Sequence, residues 1–242
     1  MEKFSIGRVL GSGFGIWFKN IIPFTAITLL LFSPVIIWSA VIFSNPFAHG
    51  ETLKYWGLYM LVPLTLIGSA VSAALTYGVV MQLQGSKASI GACIGKGFSR
   101  LFPVLGVAIV SGILVGLGCL ALIVPGIIIY CMLYVATPVA VTERPGVMAS
   151  LSRSRELTRG HKAEIFVIFL ILMVIGFVVN QLEESSLKSA TSMGALKTVL
   201  FIRLGAQLIM STLGSTMVAV AYVLLRREKE GTSVQELAAV FE

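Results

Sequence analysis

Residues 102–142 run for 41 positions without an Asp, Glu, Lys or Arg. As one α-helix the stretch would be about 61 Å long at 1.5 Å per residue. That is twice the roughly 30 Å of a bilayer's hydrocarbon core, so the segment must fold back on itself. The turn is expected between Gly116-Leu117-Gly118 and Pro125-Gly126, because Gly and Pro interrupt helices. Four other stretches, at about 21–43, 56–83, 165–182 and 199–225, are each long and apolar enough to cross once. With spans at about 102–119 and 125–142, residues 1–242 are expected to form a single integral membrane domain: an all-α polytopic protein with six transmembrane helices.

Composition agrees. Hydrophobic residues make up 57% of the 242 and charged residues 12%, with a mean hydropathy of +0.94. Such a balance excludes a soluble globular domain, a disordered chain and a disulfide-stapled secreted module. The apolar runs are unbroken and do not alternate, which excludes an outer-membrane barrel. The net charge of +7 would suggest nucleic acid in a soluble protein. Here position explains it. Lys3, Arg8 and Lys19 precede the first span, and Lys87, Lys96 and Arg100 follow the second. Arg144, Arg153, Arg155, Arg159 and Lys162 follow the fourth, and Arg226, Arg227 and Lys229 follow the sixth. The alternate connections hold only Lys54, Lys188 and Lys197, with Arg203 just inside the last span. A bias of 14 to 4 places both termini and the 143–164 loop in the cytoplasm of a multi-pass membrane protein. A single crossing by 102–142 would destroy that bias. The first span is too long for a signal-peptide core and lacks a small-residue cleavage site. No connection is long enough for a soluble domain.

Two segments share a pattern. Ser5–Phe14 reads SIGRVLGSGF and Ser89–Phe98 reads SIGACIGKGF, identical at six of ten positions, and each runs into a span through Pro23 or Pro103. Glycine-rich composition could produce the match, or an internal repeat could. In the first copy Ile6, Val9, Leu10, Gly13, Phe14 and Trp17 share a face; in the second Ile90, Cys93, Ile94 and Phe98 do. Basic amphipathic helices at about 4–19, 87–100 and 146–160 are therefore expected on the cytoplasmic surface, giving three repeats of interfacial helix plus hairpin. Gly7, Gly11 and Gly15, Gly91 and Gly95, and Gly112 and Gly116 form ridges at four-residue spacing. Ser211, Thr212, Ser215 and Thr216 do the same in the sixth span. Such ridges serve close helix packing, within the chain or between copies.

Chemistry is sparse. There is no Asp, no metal-ligand spacing, no nucleotide loop and no nucleophile elbow, so no enzyme, metal or cofactor is expected. Cys93, Cys119 and Cys131 read as small buried hydrophobes. Glu164 and Arg203 can snorkel, and Gln82, Asn180 and Gln207 can bond between helices. His49, beside Asn45 and Pro46, and His161 are expected on opposite sides of the membrane. The richest stretch is 123–166. Pro138 kinks or ends the fourth span, and Glu143, Arg144, Pro145 and Gly146 make a turn. Ser150, Ser152 and Ser154 then alternate with Arg153 and Arg155, hydroxyls beside guanidinium forks that suit phosphate head groups. Either this is a plain positively charged loop, or Arg144, Arg153, Ser154, Arg155, Arg159 and Lys162 contact anionic lipid or a partner.

The run Val124-Pro125-Gly126-Ile127, then Pro138, Glu143, Gly146 and LSRSRELTRG at Leu151–Gly160, resembles the membrane domain of some bacterial glycerophosphodiester phosphodiesterases. It is similar also to the related YciC-type inner-membrane proteins, which FSIGRVL at Phe4–Leu10 and Asn20–Phe24 fit. The resemblance implies the membrane domain alone. The catalytic His-Arg-Gly and Glu-x-Asp elements are absent, and a chain without Asp cannot supply the second. The expected role is a non-enzymatic, lipid-interacting scaffold or accessory subunit, with membrane lipids, a protein partner or a second copy as partners and no nucleic acid. The alternative is a transporter or lipid translocator with a path through the Gly/Pro-broken third and fourth spans. Reporter fusions test the topology: one at His49 should report the periplasm and one within 143–164 the cytoplasm. Both in one compartment would overturn the six-span arrangement.

Overall fold

The computed structural model describes residues 3–44, 54–83, 86, 89–189 and 192–231. His49 with Asn45 and Pro46, and Lys87 at the start of the second expected surface helix, lie outside them. The described residues form helices and contain no strand. In chain order these are α1 (Ile6–Lys19), α2 (Ile21–Ser44), α3 (Trp56–Leu83), α4 (Ile90–Ser99) and α5 (Leu101–Ala121). They continue with α6 (Ile123–Leu133), α7 (Ala136–Thr142), α8 (Val147–Thr158), α9 (Lys162–Lys188) and α10 (Met193–Glu230). Six segments are long and apolar enough to cross a membrane: α2, α3, α5, α6 with α7, α9 and α10. Their outward surfaces carry exposed Ile22, Leu120 and Phe201, as apolar solvent allows.

Local chemistry sets the boundaries. Ser5 and Ser89 cap the two matched segments alike, accepting from the N–H groups of Arg8 (3.4 Å) and Ala92 (3.2 Å). Pro23, Pro103, Pro125 and Pro138 each stand third in their helix, in the first turn, where an N–H has no helical partner to lose. Pro138 therefore starts a helix rather than ending the span. The break lies at Tyr134–Val135, four residues upstream, where Pro138 has no N–H to offer the Tyr134 carbonyl. The fold-back of 102–142 turns where expected, between Gly118 and Pro125, on a single extended residue, Leu122 (φ −165°, ψ 147°). Gly118 and Gly126 let the two arms touch. A Cβ on Gly118 would meet the Gly126 Cα at 2.9 Å, and one on Gly126 would meet the Cys119 N at 2.8 Å.

The expected glycine ridges make no contact with other elements among the described residues. Nothing lies within 4 Å of a Cβ placed on Gly7, Gly11, Gly15, Gly91, Gly95, Gly112 or Gly116. The glycines that pack are off those stripes, because a different face of each short helix turns inward. On α1 that face is Val9, Gly13, Ile16 and Trp17; on α4 it is Cys93 and Gly97, while Ile90 and Phe98 are exposed. Phe4 N–H donates to Glu228, Gly13 abuts Met217, and Trp17 Nε1 donates to Thr212 at 2.9 Å. Thus α1 runs antiparallel along α10. Likewise α4 runs antiparallel along α3, with Cys93 at Gly78 and Gly97 on the Ala70 carbonyl. Each helix packs part of its apolar surface on protein and leaves part exposed, Phe18 on α1 and Ile90 and Phe98 on α4. Cys93 and Cys131 are buried, but Cys119 is exposed, because α5 turns that side of the hairpin outward. Burial pushes the Cys93 thiol up to about 11, leaving it protonated and inert at neutral pH.

Gly126→Ala should cost about 1–3 kcal/mol by overpacking the hairpin. Gly112→Ala, in open space, should be neutral or gain up to about 1 kcal/mol of helix propensity. Thermal unfolding in detergent reads both; equal shifts would contradict the interlocked hairpin.

Candidate functional site

The four basic segments meet at one end of the helix assembly. Phe4 and His161 rings lie 5.1 Å apart, and His161 Nε2 is 3.5 Å from Glu228. Lys229 Nζ donates to the Arg159 carbonyl at 2.9 Å. Arg100 and Arg144 lie close enough to interact. Burial, and secondarily the Arg144 charge, lowers the Arg100 guanidinium from its ordinary value, and Arg100 Nε is buried with no hydrogen-bond partner among the described residues.

A carboxylate-centred cluster organises this end. Arg144 at φ 56° and Gly146 at φ 89° turn the chain from α7 into α8; only glycine holds the second conformation without strain. The turn presents Glu143, whose side chain is 16% exposed. Arg153 Nε donates to its Oε2 at 2.9 Å, and Tyr222 Oη donates to its Oε1 at 3.0 Å. Arg226 Nη1 donates to Tyr222 Oη at 2.9 Å and lies 3.7 Å from the same carboxylate. Glu230 joins Arg153 to Arg226, the latter at 2.8 Å. Thr142 Oγ1 lies 2.7 Å from the Pro138 carbonyl and 2.6 Å from Tyr222 Oη. The cluster ties the end of α10 to the fourth span and α8.

The predicted contact residues divide. Arg153 is engaged with Glu143, Glu156 and Glu230. Ser154 faces inward: it is fully buried, and its Oγ donates to the Met132 carbonyl at 2.9 Å, beside Thr158 Oγ1 at 3.2 Å. Ser150 Oγ donates to Gly146 O at 2.7 Å. The Ser/Thr side of α8 thus caps the end of α6. Arg144, Arg155, Arg159 and Lys162 are exposed, and the last three form no ion pair among the described residues. Lys162 borders an apolar groove of about 350 Å³ between α6 and α9, walled by Ile127, Ile128, Cys131 and Phe166. Glu164 does not stand alone, being 3.6 Å from His161 Nδ1, and Arg203 reaches Glu183 on α9 at 3.5 Å. Sequence reasoning missed Tyr222, Arg226 and Glu230. The four-residue spacing of the latter two was a legible signal; Tyr222 carried none.

A second feature lies at the helix break. A cavity of about 500 Å³ opens between α3, the fourth span, α9 and α10. None of the residues lining it is charged. Gln82, Asn180 and Gln207, strongly polar residues of the spans, are not among them; Gln207 borders a separate, mostly apolar cavity, and Asn180 is exposed. No group of three His, Cys, Asp or Glu side chains that could hold a metal occurs among the described residues.

No protein-family model matches this chain, and no curated protein or solved structure does so significantly. Its site is therefore read from its own residues. Glu143→Gln should destabilise the fold by about 1–3 kcal/mol, the cost of weakening charged hydrogen bonds to Arg153 and Tyr222. The double variant with Tyr222→Phe should cost less than the sum of the singles in detergent melts. Strict additivity would mean the cluster is not a unit.

Proposed function

We propose that this protein is a non-catalytic, multi-pass component of a bacterial inner membrane that binds anionic lipid at its basic end and acts as a scaffold or accessory subunit. One observation carries the reading. Arg155, Arg159 and Lys162 are exposed without an ion pair among the described residues, and Lys162 stands at the rim of the apolar groove between α6 and α9. An acyl chain in the groove would bring its phosphate to those cations. Each Lys or Arg near an anionic lipid surface contributes on the order of 1 kcal/mol. In this reading the basic end faces the cytoplasm, and the resemblance to a phosphodiesterase membrane domain without its catalytic elements fits a binding role.

The alternative, a transporter or lipid translocator, draws on the cavity at the broken fourth span. Its weakness is that the third span, α5, lends no residue to that cavity.

Replacing Arg155, Arg159 and Lys162 together by Glu should reduce retention of phosphatidylglycerol at least tenfold in native mass spectrometry, leaving phosphatidylcholine retention unchanged. Equal retention by the variant would overturn the proposal.

A further inference from the structure

The outward side of α9 carries an amide that meets nothing within its own chain. This helix is the least buried of the six spans. Its inward side is fixed near both ends: Ile165 and Ile168 are fully buried, and Glu183 reaches Arg203 of α10. Glu183 stands two residues after Gln181, and at about 100° per residue the two point to nearly opposite sides of the helix. Gln181 is accordingly exposed, and neither it nor the exposed Asn180 bonds to another described residue. Gln207, also exposed, borders a cavity between α2, α3 and α10 instead.

Depth makes this exposure costly. Gln181 lies about 24 Å along α9 from Ile165, inside a hydrocarbon core of roughly 30 Å. Helical side chains lean toward the N-terminus of their helix. For α9 that is the basic end, where His161 precedes it, so the Gln181 amide leans deeper into lipid and away from the outer surface. An amide there, without a partner, forfeits the hydrogen bonds that water would supply. Gln181 also continues a seam. Leu170, Val174, Phe177 and Gln181 are all exposed, at spacings of four, three and four, the seven-residue repeat by which helices pair.

We propose that this seam pairs with the α9 of a second copy of the chain. Copies inserted in one membrane share an orientation, so a two-fold axis along the membrane normal sets each Gln181 beside its counterpart at the same depth. A carboxamide both donates and accepts, so two of them satisfy each other reciprocally and leave no charge in lipid. A carboxylate or an ammonium group at this position would have called for a different partner. Phe177 and Val174 pack against their own copies one and two turns nearer the basic end. Glu184, the next residue on the seam, lies about 28 Å from Ile165, at the outer boundary, where water and salt screen it from its copy. The seam begins at Leu170, past the groove bordered by Lys162 and Phe166, so the pairing does not depend on lipid binding there.

The test is energy transfer between full chains labelled at the exposed Cys119 with donor or acceptor and reconstituted in phosphatidylcholine vesicles over a range of protein-to-lipid ratios. The expected result is a monomer–dimer equilibrium. Gln181→Leu should weaken association about five- to thirtyfold, the worth of interhelical hydrogen bonds in lipid. Gln207→Leu should leave it unchanged. In detergent Gln181→Leu should melt no lower than the wild type, since the amide has no partner within the chain. Should that variant not fold, Val174→Cys in a Cys119→Ser background supplies the reading. Oxidation should cross-link it as a dimer, while Ile113→Cys, on the exposed side of α5, should stay monomeric. A monomer at every ratio, the result if lipid alone covers α9, overturns the proposal. So does Gln181→Leu pairing as tightly as the wild type, Gln207→Leu weakening association equally, or cross-linking at Ile113→Cys in place of Val174→Cys.

Discussion

A peptide group exposed to hydrocarbon finds no water to bond, so any interruption of a membrane-crossing helix must be satisfied by the protein itself. That constraint explains why α8 is where it is. The fourth span breaks at Tyr134–Val135 because Pro138 cannot donate to the carbonyl four residues before it. The carbonyl of Met132, at the end of α6, is then taken up by Ser154 and Thr158 of α8. A helix that is polar by composition is thereby drawn in on its hydroxyl face. Its guanidinium face follows from helical geometry: Arg153 falls toward Glu143, and Arg155 and Arg159 fall outward.

Charge then joins elements that the lipid cannot. Burial of apolar surface does little to hold one helix against another inside a bilayer, because lipid tails are as apolar as leucine. The carboxylates of Glu143, Glu228 and Glu230 instead gather the chain's start, the 143–164 connection and the end of α10 at one end. Each pair exposed to solvent is worth a few tenths of a kcal/mol to about 1 kcal/mol, but the Glu143 cluster is shielded and shares hydrogen bonds with Tyr222 and Thr142. Close backbone approach supplies the rest: Gly118 against Gly126, Gly97 on the Ala70 carbonyl and Gly13 under Met217. Arg155, Arg159 and Lys162 are left outward at the same end.

Much of the architecture was legible in the chain. Charge-free length required the 102–142 fold-back, and the cation bias grouped the four connections that the structure brings to one end. The expected starts at about 4, 21, 102 and 125 lie within two residues of those of α1, α2, α5 and α6. Other readings went only part of the way. The Gly7 and Gly91 ridges, read as packing within the chain or between copies, meet nothing among the described residues. Ile90 and Phe98 are exposed where Cys93 on their face is buried, and Ser154, read as a lipid or partner contact, turns inward. Each was inferred from one helix at a time. In a chain this apolar nearly every face of a helix looks suitable for packing, so periodicity does not say which one meets protein and which meets lipid.

Sequence by itself determined where the chain is helical, how many helices are long enough to cross and which connections carry the cations, because helix length, proline position and charge are local properties. Tertiary structure alone decided that α1 lies along α10, that Ser154 and Thr158 cap Met132, and that α3, the fourth span, α9 and α10 enclose one cavity. These are meetings between residues up to 224 positions apart, made by hydrogen bonds and close backbone contact whose partners leave no trace in either segment.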